Sequence, residues 1–287
     1  MRVKEKKKND LLTTILLVVF AIIFIFAASQ LYSIYNGYRQ GAKTYDEVSE
    51  IAITVPEVTY TDDEEVEIPY EYYYVDFDAL FAQNSDIVAW IRFDAPEVIN
   101  YPVAQTDDNS TYLTTTFLGE YNSVGTLFVD MDNSSDFTDA NTVIYGHNMK
   151  NGSMFGDLSE YINEAFYTEN PYFYVYTPDG RASKYQIVAV ENISVYDSYR
   201  YSKTFDSSSE FQSYIDALYK TSFYDTGTLL NTNSKIITLS TCTSSDDERF
   251  IVQGVRVDFT DMVQVDTLSE EDLEEEKSAT PLVIEFE

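Results

Sequence analysis

Between Ile87 and Val257 the chain repeats one pattern eight times: a short run of β-branched and aromatic residues, then a turn rich in Asn, Asp or Gly. The runs are IVAWIRF, INYPVAQ, GTLFVDM, NTVIYGH, FYVYT, SKYQIVAV, KIITLSTC and RFIVQGVRV. Strands this short and this closely spaced leave little room for crossover helices. They predict a mostly β domain, a largely antiparallel barrel or sandwich rather than a βαβ sheet. Helices are expected at its periphery. Phe77, Leu80 and Phe81 recur at helical spacing after Asp76 and before Asn84-Ser85, and similar spacing marks Met154 to Phe166 and Glu210 to Tyr219. With 44% hydrophobic and 15% aromatic residues, a sizeable core can be buried.

Ahead of this domain, Leu11 to Ala28 runs LLTTILLVVFAIIFIFAA without a charge, preceded by the basic MRVKEKKKND. A run of this length spans a bilayer as a helix, and the basic flank places the N-terminus on the cytoplasmic side. A cleavable signal peptide is the competing reading, but the run exceeds a usual h-region and Ala27-Ala28-Ser29 is a weak cleavage site. The expected organisation is a basic tail (1–10), a transmembrane signal anchor (11–31), an extracellular helix and stalk (32–75), the main domain (76–262) and an acidic C-terminal tail (263–287). That makes a single-pass membrane protein with its main domain outside. The tail's charge run reads as solvated, and its closing PLVIEFE could add a strand or meet a partner.

The formal net charge is −31, and five of the 18 Lys and Arg lie in the first ten residues, so the exported part is more acidic still. Such a surface argues against nucleic acid as a partner and against docking on anionic lipid. A solvated, self-repelling surface accounts for the acidity; attraction of calcium or of cationic substrates is the alternative.

Chemistry must come from few residues. Cys242 is the one cysteine and His147 the one histidine, so there is no internal disulfide and no Cys/His set for zinc; no metal or cofactor is expected. Cys242 ends the alternating run KIITLSTC, and after a six-residue loop the chain re-enters a strand at Arg249. A hairpin there would bring the guanidinium to the sulfur, and a fixed cation favours the nucleophilic thiolate. A free Cys is also commonly buried and inert, and a lone His on a loop is commonly a capping residue. Arg249, in turn, could pair with Asp246, Asp247 or Glu248.

TLSTC with an Arg seven positions after the Cys, YGHNMKNGSMF upstream, and DFDALFAQNSDIVAWIRF, INYPVAQTDDNSTYL and GTLFVDMDN in order before it resemble the sortase family of cysteine transpeptidases. Specifically, they resemble its class B members, over roughly residues 76 to 260. The resemblance implies an eight-stranded sortase-type β-barrel with a helix before the Cys strand. It implies a nucleophile in Cys242, a proton carrier in His147 and, in Arg249, a holder of substrate backbone and oxyanion. Thr243 is expected to offer a backbone N–H to that oxyanion. By the same resemblance Asn109, Leu113, Tyr199 and Ser240 line the peptide groove. The implied partners are the sorting-signal peptide of a surface protein and an amine acceptor, either a peptidoglycan precursor or a pilin lysine. A non-catalytic, membrane-tethered binding module is the alternative from another class.

Overall fold

A computed structural model describes residues 2–54, 70 and 73–262. Residues 55–69 and 71–72 of the expected stalk and the tail 263–287 lie outside the described residues. Helix α1 (Arg2–Ala52) is one continuous element of 51 residues. From Thr13 it is long and apolar enough to cross a membrane, and Ile15 to Phe26 leave their large side chains exposed. A helix that is apolar on every side and covered by nothing is suited to lipid.

The chain divides into two compact units, the first ending at Lys43 and the second beginning at Thr44. The last two turns of α1 therefore belong to the second unit, where Tyr45, Val48 and Ala52 are buried. The Tyr45 hydroxyl donates to the Gly125 carbonyl, and its ring meets Tyr101 edge-on at 5.2 Å. A small ribbon follows, in which β1 (Ile53–Thr54) pairs antiparallel with β2 (Tyr74–Val75).

All eight expected strands form, and they close into one barrel. They are β3 (Ile87–Phe93), β4 (Asn100–Ala104), β5 (Leu127–Val129), β6 (Asn141–Tyr145), β7 (Tyr172–Tyr176), β8 (Arg181–Ser194), β9 (Ile236–Cys242) and β10 (Glu248–Asp261). Around the barrel they run β10-β8-β7-β3-β4-β5-β6-β9. Side chains fill the centre, as eight strands require, with Ile91, Phe93, Phe173, Tyr185 and Leu239 buried. Six of the eight pairings are antiparallel; β4 with β5 and β6 with β9 are parallel.

The second parallel pair fixes where the chemistry can be. Parallel neighbours end on the same side, so the residues just after β6 and those closing β9 emerge at one end of the barrel, and β10, antiparallel to β9, starts there. His147, Cys242 and Arg249 occupy those three places.

Helix α2 (Phe77–Gln83) starts at Asp76, whose side chain accepts from the Ala79 N–H at 2.9 Å. After a 3-10 turn (Asp157–Ile162), α3 (Glu164–Glu169) begins on Asn163. Helix α4 (Ser208–Thr221) is capped by Ser207 and turns Phe211, Tyr214, Ile215 and Leu218 inward, the i, i+3, i+4, i+7 stripe of an amphipathic helix. That stripe packs on Val188, Ala189, Ile236 and Val255 of the barrel.

Candidate active site

Cys242 and Arg249 are direct partners in the β9–β10 ladder. Opposed residues of an antiparallel pair project to the same face with Cα atoms about 5 Å apart, which sets the guanidinium beside the sulfur's strand end. Cys242 is exposed. Arg249 donates through Nη1 to the Glu248 carbonyl at 2.8 Å, with a longer 3.5 Å contact to the Asp246 carbonyl. Among the described residues no ion pair joins Arg249 to Asp246, Asp247 or Glu248. The hairpin carbonyls orient the guanidinium, and its charge is not spent on a neighbouring carboxylate.

His147 follows β6 after Gly146, whose N–H donates to the Ser240 carbonyl at 3.1 Å. Glycine is required there by close approach: a Cβ would stand 2.4 Å from a Leu127 methyl and 2.6 Å from the Phe155 ring. The Nε2 of His147 lies 2.6 Å from the Leu113 carbonyl oxygen. A carbonyl can only accept, so Nε2 carries the proton and Nδ1 is the nitrogen left for proton exchange. The neighbouring Asn148 donates from Nδ2 to the Cys242 carbonyl at 2.7 Å, latching the histidine loop to the end of the cysteine strand.

These three residues line one cleft of about 270 Å³ together with Asn109, Leu113 and Ser240. Thr243 stays in the hairpin, where its hydroxyl donates to the Ser245 carbonyl at 3.1 Å and accepts from the Ser245 N–H at 3.0 Å. Tyr199 is not in the cleft wall. It lies edge-on to the buried Tyr214, ring centroids 5.6 Å apart. Tyr201 does not line the cleft either, but it touches a residue that does: its hydroxyl is 2.8 Å from Ser240 Oγ. Burial pushes the Tyr201 phenol above its ordinary value, while the Ser240 bond and the nearby Arg249 charge pull the other way.

Two further cleft residues, Phe128 and Tyr145, escape the sequence reading. Tyr145 had a local signal: it precedes His147 by two positions, the period that puts strand residues on one face. The loop that carries Tyr201 is held from beneath. Arg200 and Glu191 form a buried ion pair at 2.7 Å, and the same guanidinium reaches Thr221 Oγ1 at 2.7 Å and the Ala217 carbonyl at 3.1 Å, both on α4. Among the described residues no group of His, Cys, Asp and Glu side chains is arranged to hold a metal ion.

Comparison with known proteins finds the same fold elsewhere. A family model described as the sortase domain matches residues 94–257. A curated sortase B of Listeria monocytogenes is 35% identical over 178 residues, 60% of this chain and 70% of the relative. A sortase B from B. anthracis, solved in complex with AAEK1, superposes with a TM-score of 0.65 at 28% identity, covering 78% of this chain and 99% of the other. A Staphylococcus aureus sortase B–substrate complex gives 0.59 at 27% identity, over 63% and 84%. With more than half its length matched by the domain model and its barrel shared with sortase B structures, this chain belongs to the sortase family of cysteine transpeptidases, in its class B branch.

Proposed function

We propose that the protein is a membrane-anchored transpeptidase that cleaves a C-terminal sorting signal after threonine and transfers the new carboxyl end to an amine of a cell-wall precursor. The observation that carries this reading is the arrival of Cys242, His147 and Arg249 at one barrel end, with Arg249 in register with the cysteine.

In the first half-reaction the Cys242 thiol passes its proton to His147 Nδ1 and the resulting thiolate attacks the threonine carbonyl carbon, whose π electrons move to oxygen. Arg249, freed from carboxylate partners, is placed to stabilise that oxyanion, as is a backbone N–H at Thr243. The intermediate collapses to a thioester, and the departing amine takes a proton from His147 Nδ1. In the second half-reaction an acceptor amine gives that proton back while its nitrogen displaces the sulfur. Leu113 holds the imidazole at Nε2 through both steps. Asn109, Leu113 and Ser240 line the peptide groove, with Tyr201 rather than Tyr199 backing Ser240.

An uncleaved α1 spanning the membrane, basic end inside, would hold residues 76–262 at the outer surface, with 32–75 as the connection and 263–287 as a tail. A hydrolase gains nothing from that tether, whereas a transferase meets both exported substrate and wall precursor there. A correctly bound amine carries an effective molarity that lets it outcompete water. The test is mass spectrometry of full-length protein in detergent micelles with a threonine-containing sorting peptide and two amines. Amide formed with a wall cross-bridge peptide supports the reading. Amide formed only with a pilin lysine peptide would reassign the acceptor, and a Cys242 that never acylates would make the protein a binding module.

A further inference from the structure

Beneath the cleft lies a buried carboxylate that the proposed mechanism does not use. Asp130, just after β5, has a side chain only 5% exposed and accepts four hydrogen bonds on two oxygens. Its Oδ1 takes Lys203 Nζ at 2.9 Å and the Asp132 N–H at 3.0 Å. Its Oδ2 takes the Tyr145 hydroxyl at 2.8 Å and Asn109 Nδ2 at 3.2 Å.

Tyr145 and Asn109 both line the cleft, from opposite segments of the chain. Tyr145 closes β6 two residues before His147, and Asn109 lies in the segment between β4 and Leu113. Lys203 is two residues past Tyr201, which bonds Ser240 and whose ring is 6.0 Å from that of Tyr145. One carboxylate thus ties two walls of the cleft to each other and to the Tyr201 loop that backs Ser240 and Tyr145. Four donors on two oxygens, one of them the Lys203 ammonium, leave no acceptor for a carboxyl proton and so favour the ionised form. The amide of Asn109 is fixed at its other end too, because its Oδ1 accepts from the Met131 N–H at 2.8 Å.

Resting on the reading of the cleft as a peptide groove, we infer that Asp130 is a positioning residue for substrate binding: it orients the Asn109 amide and the Tyr145 phenol and clamps the Tyr201 loop through Lys203. Because Tyr145 spends its proton on Asp130, its oxygen faces the groove as an acceptor only. Asn109, with one N–H used and one left, faces it as a donor. Neither residue touches the Cys242 thiol through Asp130, so the carboxylate acts on how peptide is held and leaves the thiol's own chemistry alone.

Asp130→Asn keeps the shape and places an N–H where two donors already point. In full-length protein in micelles, with a fluorogenic threonine peptide that the unaltered protein cleaves, KM should rise about tenfold while kcat stays within about threefold. Alkylation of Cys242 by iodoacetamide should stay within about twofold of the parent rate. Tyr145→Phe, which removes the donor without disturbing the fold, should raise KM in the same direction, and the double variant should be no worse than Asp130→Asn alone, since both act through one contact. An unchanged KM in Asp130→Asn or in Tyr145→Phe overturns the inference. So do effects that multiply in the double variant, and so does a fall in kcat, alkylation rate and melting temperature together, which would mark a scaffold role. Should the parent cleave no threonine peptide, the reading of the site is what fails. The inference is then decided by the side-chain amide signal of Asn109 in NMR spectra, which must move in Asp130→Asn while that of the remote Asn170 does not.

Discussion

Arg249 faces Cys242 across the β9–β10 ladder, and its guanidinium is aimed by the Glu248 carbonyl while among the described residues no carboxylate pairs with it. A planar fork can hold a backbone bond and an oxyanion at once; an ammonium presents a single point charge. Arg249→Lys should therefore lower kcat by about 10²-fold, the usual effect of losing one oxyanion donor, with little change in melting temperature. Steady-state kinetics and thermal unfolding check it; a near-parental kcat would leave Arg249 only its hairpin contacts.

Gly146→Ala should displace the histidine. The added methyl would stand 2.4 Å from a Leu127 methyl and 2.6 Å from the Phe155 ring, so those side chains or the backbone at the residue before His147 must give way. The expected result is a loss of about 10- to 100-fold in kcat/KM, as for other small misplacements of catalytic groups. Peptide turnover measured beside Cys242 alkylation locates the fault in the histidine.

Tyr45→Ala tests whether the domain begins at Thr44. Tyr45 is buried, donates to Gly125 and packs on Tyr101. Removing a buried aromatic costs about 3–5 kcal/mol, or a fall of about 10 °C in melting temperature at this domain size. A shift below about 2 °C would detach that turn of α1 from the barrel unit.

The buried Glu191–Arg200 pair should be as sensitive. Glu191→Ala leaves a guanidinium buried without its counter-charge, at a cost of about 3–5 kcal/mol. Denaturant unfolding reads the cost.

Acid should expose the role of Asp130. Burial opposes its charge, but bonds from the Asp132 N–H, Lys203 and Tyr145 outweigh that, and its carboxyl is held below the ordinary carboxylate value. A depressed folded value means stability fully present above the unfolded value of about 4 and lost as pH falls through the folded one. Asp130→Asn should lose this part of the acid limb, and an unaltered stability profile between pH 5 and pH 2, measured at about half-unit steps, would contradict it.

The eight strands were legible because alternation and turn residues are local signals, and so were the singletons Cys242 and His147. The parallel pairing of β6 with β9, which brings those two together, was not legible: which strands become neighbours depends on the closure of the whole barrel. Tyr199 and Tyr201 sit two apart in YDSYRYS and look alike in sequence. The choice between them is made by the Arg200 clasp, which turns Tyr199 toward Tyr214 and Tyr201 toward Ser240. The three acids before Arg249 suggested ion pairs; in the hairpin its hydrogen bonds go to main-chain carbonyls instead, a matter of side-chain geometry that composition cannot carry. Likewise α1 reads as a span and a short helix, yet continues unbroken to Ala52 because its final turns find a buried face.

The most direct test of the central claim is to trap the acyl-enzyme. Full-length protein is mixed with a threonine-containing sorting peptide, quenched in acid before an amine is added, and digested for mass spectrometry. The account predicts the acyl fragment ending in threonine on the peptide that contains Cys242, its release by added amine as an amide, and its absence in Cys242→Ala. Peptide cleavage that persists in Cys242→Ala, or an acyl group found on another residue, would contradict it.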